Sequence, residues 1–516
     1  MTKPRNTRSA TNQKAPKTAK ARAPFGRNHE NPPSAQRAEN PYSKRKLPEA
    51  PAAQDSQRAI SARRSEGRDS GRGGSAPHAG RAAAHPARSG AVRPGPERKQ
   101  AERAKAERSG PGALVNRRAA DRLRSGSVWV YASDIESVEL PPAGDAPALL
   151  AVADSRGLLL GTALYSPTSQ IALRMVSREA VDEAGWLELL SSRLRRAIGR
   201  RKPLLDERND ACRLCFSEAD ELPGLVIDKY ANLIIVQLLA KGLDSAAVRE
   251  TCVRVLREEL APAAILERPD SRMRELEGLA AASAEPLFVQ NATTQATSTE
   301  FRLNGLVFHF DANSGQKTGA FLDQRANYAA AAEWAQRLGA TGRALDVCCY
   351  QGGFALHLAR VCRQVTGIDA SRASLEVAEG NLATNRPQLT AQVDWVEADA
   401  FQILRDWSDA RESFDAIVLD PPAFAKTQRA VEGALRGYKE LNLRALKMLR
   451  PGGLLVTCSC SHHVGWAELE GSVASAAADA SRRVRLLERR GAALDHPVVL
   501  NLPESEYLKC LVLEVE

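Results

Sequence analysis

Five side chains in the C-terminal half of this 516-residue sequence stand where short apolar runs end: Asp346, Asp369, Asp399, Asp420 and Cys460. One acid after a strand is accounted for by capping the helix that follows. Four in succession on one rim, joined by a thiol, make a group that can hold hydroxyls and amines and can also attack a ring. Around the thiol the chain reads Thr457-Cys458-Ser459-Cys460-Ser461. A thiolate added to carbon 6 of a pyrimidine would make carbon 5 nucleophilic enough to accept a methyl group, dividing one hard step into two. Cys458 is expected to be a core thiol, and Cys460, further out in the loop, the reactive one. Asp420 precedes Pro421 and Pro422. Two prolines remove two backbone donors and stiffen the turn, so a carboxylate and fixed carbonyls could hold the nitrogens of a planar base. Phe424 offers a stacking face and Lys426 a charge for phosphate.

A second half of the site is expected over residues 343–370, which read as strand, turn, helix and strand. The turn is Tyr350-Gln351-Gly352-Gly353, and Asp369 closes the second strand. Glycine lets a ligand approach the backbone, and the N–H groups of a helix start favour an anionic group. A carboxylate at Asp369 suits the two hydroxyls of a ribose. Two cofactors could use this geometry. A dinucleotide calls for G-x-G-x-x-G, whereas Phe354-Ala355-Leu356-His357 follows here with no third glycine. S-adenosylmethionine has no pyrophosphate and tolerates the loss. A doubly wound sheet with an incidental glycine turn also accounts for this stretch taken alone. Upstream, Gln316-Lys317-Thr318-Gly319 and Asp323-Gln324-Arg325 crowd polar groups before a helix expected over 326–338. Asp323 and Arg325 could cap and pair on that helix or face the site.

The elements that must position these groups alternate. Strands are expected at 344–348, 364–368, 392–397, 414–419 and 453–458, with helices at 354–361, 372–385, 401–407, 435–449 and 466–478, then strands at 484–487 and 508–513. This pattern predicts a mostly parallel sheet with helices on both faces and ligands beyond the carboxyl ends of its strands. Earlier in the chain, strands at 128–131, 148–154, 158–165 and 170–176 suggest a small β-barrel. Arg117, Arg118, Arg122 and Arg124 stand at its start, so it could dock RNA or be a plain accessory domain. A helix at 186–198, a strand pair at 225–228 and 233–239 and a helix at 245–260 suggest an α+β domain. Residues 301–310 alternate as one more strand.

Residues 1–110 differ from the rest. They hold 25 Lys and Arg against 9 Asp and Glu, a net +16 in a chain of net +10, with Phe25 and Tyr42 as their aromatics. Such a composition buries too little apolar surface to offset chain entropy, which predicts a disordered basic tail, either merely solvated or drawn to a polyanion. A transit peptide would also be basic, but Pro4, Pro16 and Pro24 interrupt an amphipathic helix. No apolar run is long enough to span a bilayer and no secretory signal opens the chain, so a cytoplasmic protein without a membrane partner is expected. The nine cysteines should then be reduced thiols. Cys212 and Cys215 have CxxC spacing without a second pair, which favours ordinary thiols over a metal. Cys348, Cys349 and Cys362 read as core residues.

Taken together, residues 317–325, Gly352-Gly353-Phe354, Asp369, Asp420-Pro421-Pro422-Ala423-Phe424, Arg436-Gly437-Tyr438-Lys439, Ser459-Cys460-Ser461, Asp495-His496-Pro497 and Tyr507-Leu508-Lys509 resemble the bacterial class I 23S rRNA 5-methylcytosine methyltransferases of the large-subunit methyltransferase I type. The similarity runs over about 112–516. It implies a disordered tail (1–111), a PUA-like RNA-binding domain (112–179), a central α+β domain (180–300) and a Rossmann-like methyltransferase domain (301–516). It implies S-adenosylmethionine as methyl donor, held by Asp346, Gly352, Gly353, Phe354, Asp369, Asp399, Lys317, Asp323 and Arg325. Asp369 would meet the ribose and Asp399 the adenine. Asp420, Pro421, Pro422, Phe424 and Lys426 would meet the target base, with Cys460 as nucleophile and no metal. The implied partner is 23S rRNA, and a homodimer is left open. Many RNA 5-methylcytosine enzymes carry a second cysteine after the Asp-Pro motif; Ala423-Phe424 stand there instead, which leaves open the group that releases the Cys460 adduct. A guanine (N7 or N2) methyltransferase and a catalytically silent ribosome-assembly factor are the alternatives, since related domains share the acidic motifs without needing a thiol.

Overall fold

Apolar alternation of period two builds four sheets in this chain, and the order of their strands decides where the acids and the thiol meet. A computed structural model describes residues 110–140, 148–279, 283, 285–291, 297–313 and 319–516; the expected disordered tail falls almost wholly outside these residues, and Lys317 does too.

The first sheet contains β1 (Gly112–Val115), followed by helix α1 (Arg117–Arg124), then β2 (Trp129–Tyr131), β3 (Ile135–Glu139), β4 (Leu149–Asp154), β5 (Leu159–Tyr165) and β6 (Ile171–Ser177), in the order β2-β6-β5-β4-β1-β3. Two of these strands, β1 and β3, were not apparent in the sequence. The start of the domain, which reads as one short basic element, is a strand and a helix divided at Asn116, whose side chain caps α1 by accepting the Ala119 N–H at 2.9 Å. Ala119, Ala120 and Leu123 are buried beneath α1 while Arg117 and Arg118 stay exposed.

The second sheet follows α2 (Glu183–Arg201). It is built from β7 (Ala211–Phe216), β8 (Leu225–Tyr230), β9 (Leu233–Leu238), β10 (Ala264–Glu267) and β11 (Phe288–Val289), with α3 (Ala246–Leu260) and α4 (Ser271–Glu277) between them, in the order β11-β10-β9-β8-β7. Cys212 and Cys215 lie fully buried in β7, and burial pushes the Cys212 thiol up to about 12. Two buried ion pairs tie this region to its neighbours: Arg174 of β6 meets Glu277 at 2.9 Å, and Arg201 grips Asp220 with both terminal nitrogens and donates to the Asp495 carbonyl at 3.0 Å.

The stretch 301–310 is not one strand but parts of two, β12 (Ser298–Leu303) and β13 (Leu306–Asp311). Asn304 and Gly305 both take left-handed φ, +54° and +81°, the requirement of a two-residue hairpin turn that alternation alone does not reveal. Phe301 and Phe310 pack on Tyr230 with ring centroids 5.0 and 4.1 Å away, which fastens the hairpin to the central sheet.

The last sheet has seven strands. After α5 (Arg325–Arg337) come β14 (Arg343–Val347), α6 (Gly353–Leu358), β15 (Gln364–Asp369), α7 (Arg372–Asn385), β16 (Gln392–Glu397), α8 (Ala400–Asp409), β17 (Phe414–Leu419), α9 (Val431–Met448), β18 (Leu449–Ser459), α10 (Trp466–Asp479), β19 (Val484–Arg490) and β20 (Lys509–Val515). The order is β16-β15-β14-β17-β18-β20-β19; β14 to β18 run parallel and β20 is antiparallel to both its neighbours. Strand order reverses between β14 and β17, and the crevice beyond the carboxyl ends at such a reversal is where open sheets bind ligands. The expected alternation is thus present, with α9 starting four residues early and α6 stopping three residues early. Fully buried Leu345, Ile417 and Leu455 lie in one of two helix-covered cores, each such side chain stabilising the layer by roughly 1.5–3 kcal/mol. Among the described residues no helix is long and apolar enough to cross a membrane.

Candidate active site at the carboxyl ends of the sheet

Beyond the ends of β14, β15, β17 and β18 lies a cavity of about 400 Å³. Its wall includes Asp323, Gly353, Phe354, Asp369, Asp399, Asp420, Pro421, Pro422, Phe424 and Cys460, so the structure brings ten of the sequence-selected residues into one chamber.

The cofactor-side acids are held by nearby backbone. Asp369 accepts the Tyr350 N–H and the Ser371 N–H, both at 2.9 Å, which fixes its carboxylate while leaving lone pairs for a diol. Asp399 caps α8 through the Gln402 N–H at 3.0 Å and stays exposed at the rim. Asp346 is fully buried behind the wall. Burial pushes its carboxyl well above the usual range against the Ala355 N–H it accepts at 2.8 Å, and the charges of Asp420 and Asp369 push it further. The helix-start N–H expected to favour an anionic ligand is therefore taken by Asp346 itself.

The glycines also make room for neighbouring side chains. A Cβ on Gly353 would come within 2.4 Å of the Tyr328 ring, and one on Gly352, whose φ is +86°, within 2.9 Å of Trp395. What the missing side chains admit is protein: two aromatic rings packed on the turn. Arg325 lies outside the cavity wall, donating to the Ala211 carbonyl at 2.9 Å and facing Asp495 at 3.6 Å, so it braces the catalytic sheet against the central one. Lys426 is exposed and also lies outside the wall.

On the opposite side the anchors come from far along the chain. Gln324 donates to the Asp420 carboxylate at 3.0 Å; its own carbonyl accepts from Asn327 at 2.6 Å, and Asn327 accepts from Arg490 at 2.9 Å. Cys460 is half-buried with its sulfur 3.9 Å from the Pro421 carbonyl, whereas Cys458 is fully buried, as expected of a core thiol. The serines that flank Cys460 explain its aim. Ser459 donates to the Tyr438 hydroxyl at 2.9 Å, Ser461 lies 3.0 Å from the same oxygen and accepts the Ala425 N–H, and all three side chains are buried. With its neighbours fastened inward, the residue between them faces the chamber. Lys509 donates to the Ser461 and Tyr507 carbonyls. Burial lowers its ammonium, while Glu506 and Cys460 favour its charged form.

Several wall residues were given no place in the site from the sequence: Phe321, Tyr350 and Leu508, which lie within stretches singled out there, and Tyr328 and Phe401. Cys348 and Cys349, expected to be plain core, also line the chamber. Burial and then the charge of Asp369 push the Cys348 thiol far up, so it is no competitor to Cys460 as a thiolate. Gln324 was visible beside Asp323, but only its bond to Asp420 reveals a use.

The chamber fits a sulfonium nucleoside. Asp323 is buried on its wall, with one oxygen bound to the Tyr507 hydroxyl at 2.5 Å and the other lacking a hydrogen-bond partner among the described residues. That oxygen can accept from an ammonium, Asp369 can accept from ribose hydroxyls, and apolar Ile368 and Phe401 can cover a base.

Comparison with known proteins agrees. A family model described as a PUA-like domain matches residues 114–178, and one described as an S-adenosylmethionine-dependent methyltransferase matches residues 288–500. The ribosomal RNA large subunit methyltransferase I of Shewanella denitrificans is 36% identical over 392 residues, covering 75% of this chain and 95% of the relative. The protein of that name from Tolumonas auensis is 36% identical over 387 residues, covering 75% and 94%. A solved structure from Streptococcus mutans shares the fold, with a TM-score of 0.63 at 18% identity over 78% of this chain and 99% of that one. SMU.776, crystallised in complex with SAH, superposes with a TM-score of 0.64 at 19% identity, over the same shares of the two chains. The chain belongs to the ribosomal RNA large subunit methyltransferase I family of S-adenosylmethionine-dependent methyltransferases.

Proposed function

We propose that this protein methylates carbon 5 of a cytosine in 23S rRNA. The observation that carries the reading is a half-buried thiol, Cys460, sharing one chamber with Asp420-Pro421-Pro422 and with the carboxylate-lined cofactor side. S-adenosylmethionine bound there supplies an electrophilic methyl group. Asp369 would hold its ribose, Asp399 would lie by its adenine and Asp323 would take its ammonium, with Gly352, Gly353, Phe354 and Asp346 shaping the turn behind it. Phe424 offers a ring to the target base, and Asp420 with the Pro421 and Pro422 carbonyls can bind its amino and ring nitrogens.

Cys460 acts as the nucleophile. Its sulfur bonds to carbon 6, the pair of the 5,6 double bond moves to carbon 5, and carbon 5 takes the methyl group as the donor's methyl–sulfur bond breaks and its electron pair stays on a neutral thioether sulfur. Loss of the carbon 5 proton to a base restores the double bond and releases Cys460 as thiolate. Burial disfavours the Lys509 ammonium, while Glu506 and a negative Cys460 sulfur favour it. Nucleoside mass spectrometry of 23S rRNA treated with the protein and S-adenosylmethionine should show 5-methylcytidine. N7- or N2-methylguanosine would replace the reading, and the absence of any methylated nucleoside would leave an assembly factor. Sedimentation of the protein alone reads the homodimer.

A further inference from the structure

Three large apolar side chains stand in water within seven residues of one loop: Leu494 is 81% exposed, Val498 48% and Leu500 94%. Single exposed leucines need no explanation, but a cluster of them on a fixed loop does. This loop is fixed. Asp495 and His496 are buried, and the ring of His496 lies 5.1 Å from that of Phe216. The Asp495 carboxylate accepts the Arg213 N–H at 3.0 Å, and the Ser505 hydroxyl accepts the Val499 N–H at 2.8 Å. The backbone is thus held down between leucines that are held out.

The two ends of the loop lead to different places: before Leu494, the Ala493 N–H donates to the Asp323 carbonyl at 2.8 Å, and Asp323 lies on the cavity wall. Tyr507 bonds to Asp323 on the cavity wall, and Leu508 is itself part of that wall. Asn501 reaches the first domain, where it lines a shallow pocket with Arg117, Arg118, Arg122 and Ser127, and its side chain fills the space a Cβ on Gly126 would need. Of these arginines, Arg122 pairs with Asp134 and Arg117 faces Asp121 at 3.7 Å across open solvent, while Arg118 is exposed. Leu508 lies seven positions past Asn501, so the basic pocket and the cavity wall are joined by at most roughly 24 Å of chain.

We infer that the 494–501 loop guides single-stranded RNA into the active site. Phosphates beside the target nucleotide lie along Arg117 and Arg118, and Leu494 and Leu500 cover the face of a base left unstacked when the target turns into the cavity. Positive charge at one end, apolar faces in the middle and a base-sized chamber at the other end match a polyanion whose bases must be separated before one can react. The inference rests on the rRNA reading of the active site, but its test reads binding as well as chemistry.

The full-length protein, a Leu494→Ser/Leu500→Ser variant and an Arg117→Ala/Arg118→Ala variant would be titrated with an unstructured RNA oligonucleotide, with a duplex of the same sequence and with protein-free 23S rRNA, over a salt series. The leucine variant should lose about tenfold in affinity for the single strand and raise KM for rRNA, with an unchanged salt slope, melting temperature and affinity for S-adenosylmethionine. The arginine variant should lose affinity with a log–log salt slope shallower by roughly 0.7 for each phosphate contact removed. Wild-type binding and KM in the leucine variant would overturn the inference. So would equal preference for the duplex, or a leucine variant that only dissociates a dimer. If rRNA is methylated on guanine while the leucine variant still loses the single strand, the base assignment fails and the loop assignment stands.

Discussion

The two sides of the catalytic chamber are built by different means. On the cofactor side three acids are held from close by in sequence, Asp369 by Tyr350 and Ser371, Asp399 by Gln402 and Asp346 by Ala355, and Asp323 is the exception, bound to Tyr507 184 residues away. On the target side Asp420 is held by Gln324, 96 residues away, and the chain of bonds continues through Asn327 to Arg490, 163 residues further on. A local anchor forms with its own strand and turn. A distant one exists only when the helix before the sheet, the sheet itself and the closing hairpin are all in place. The difference suggests that the ribose end of donor binding is robust to distant change, while target chemistry is sensitive to it.

The largest expected effect is on the target side alone. Cys460→Ala should lower methyl transfer by about a thousandfold or more, with S-adenosylmethionine affinity by calorimetry unchanged. A variant that kept turnover would remove the covalent mechanism. Gln324→Ala deletes a hydrogen bond to a carboxylate and should lower kcat for rRNA by roughly ten- to a hundredfold, again sparing donor affinity. Equal losses in both would show that the two sides are not separable.

Asp369→Ala should do the opposite, weakening donor binding about tenfold with a smaller change in kcat at saturating donor. Tyr438→Phe strips the shared hydroxyl from Ser459 and Ser461. A loss of about 1–3 kcal/mol of unfolding free energy is expected, with a severalfold lower kcat as Cys460 loses its aim. Unchanged kcat would mean that the strand alone orients the thiol.

The smallest effect concerns the seam between the central and catalytic sheets. Burial works to raise the Asp495 carboxyl, but the hydrogen bond and charge of His496, the charge of Arg325 and the Arg213 N–H prevail and hold it at about 2, against an ordinary 3.8. A carboxyl depressed by folding stabilises the fold above its ordinary value, and that stabilisation fades as pH falls from about 3.8 through about 2. The contribution is about 2 kcal/mol. The difference in unfolding free energy between wild type and Asp495→Asn should therefore shrink over that window; a constant difference would assign the seam to packing instead.

The same contrast sets what was legible in the chain. Acids at strand ends, the stiff Asp-Pro-Pro turn and the thiol between two serines follow from residue type and local spacing; Asp369, Asp399, Asp420 and Cys460 meet in one chamber, while Asp346 lies behind its wall. Tyr328 and Phe321 on the cavity wall had no periodicity to mark them, because their place depends on an element packed from outside the sheet. Arg325 and the two glycines were visible but their use was not. A charge before a helix and a glycine turn look the same whether they face a ligand or, as here, a carbonyl of the central sheet and two aromatic rings. The 301–310 stretch looked like one strand because its turn residues, Asn304 and Gly305, sit between alternating neighbours without interrupting them.

By itself, the amino-acid sequence determined the alternating sheet, the nature of its rim and the family to which the chain belongs, since all three rest on short-range patterns and motif order. Only the tertiary structure decided which acids share a chamber with Cys460, and what aims that sulfur. Only it placed three exposed apolar side chains between that chamber and the arginines of the first domain. Those relations join residues tens to hundreds of positions apart, and it is the packing of whole elements, not the spacing of residues, that sets such distances.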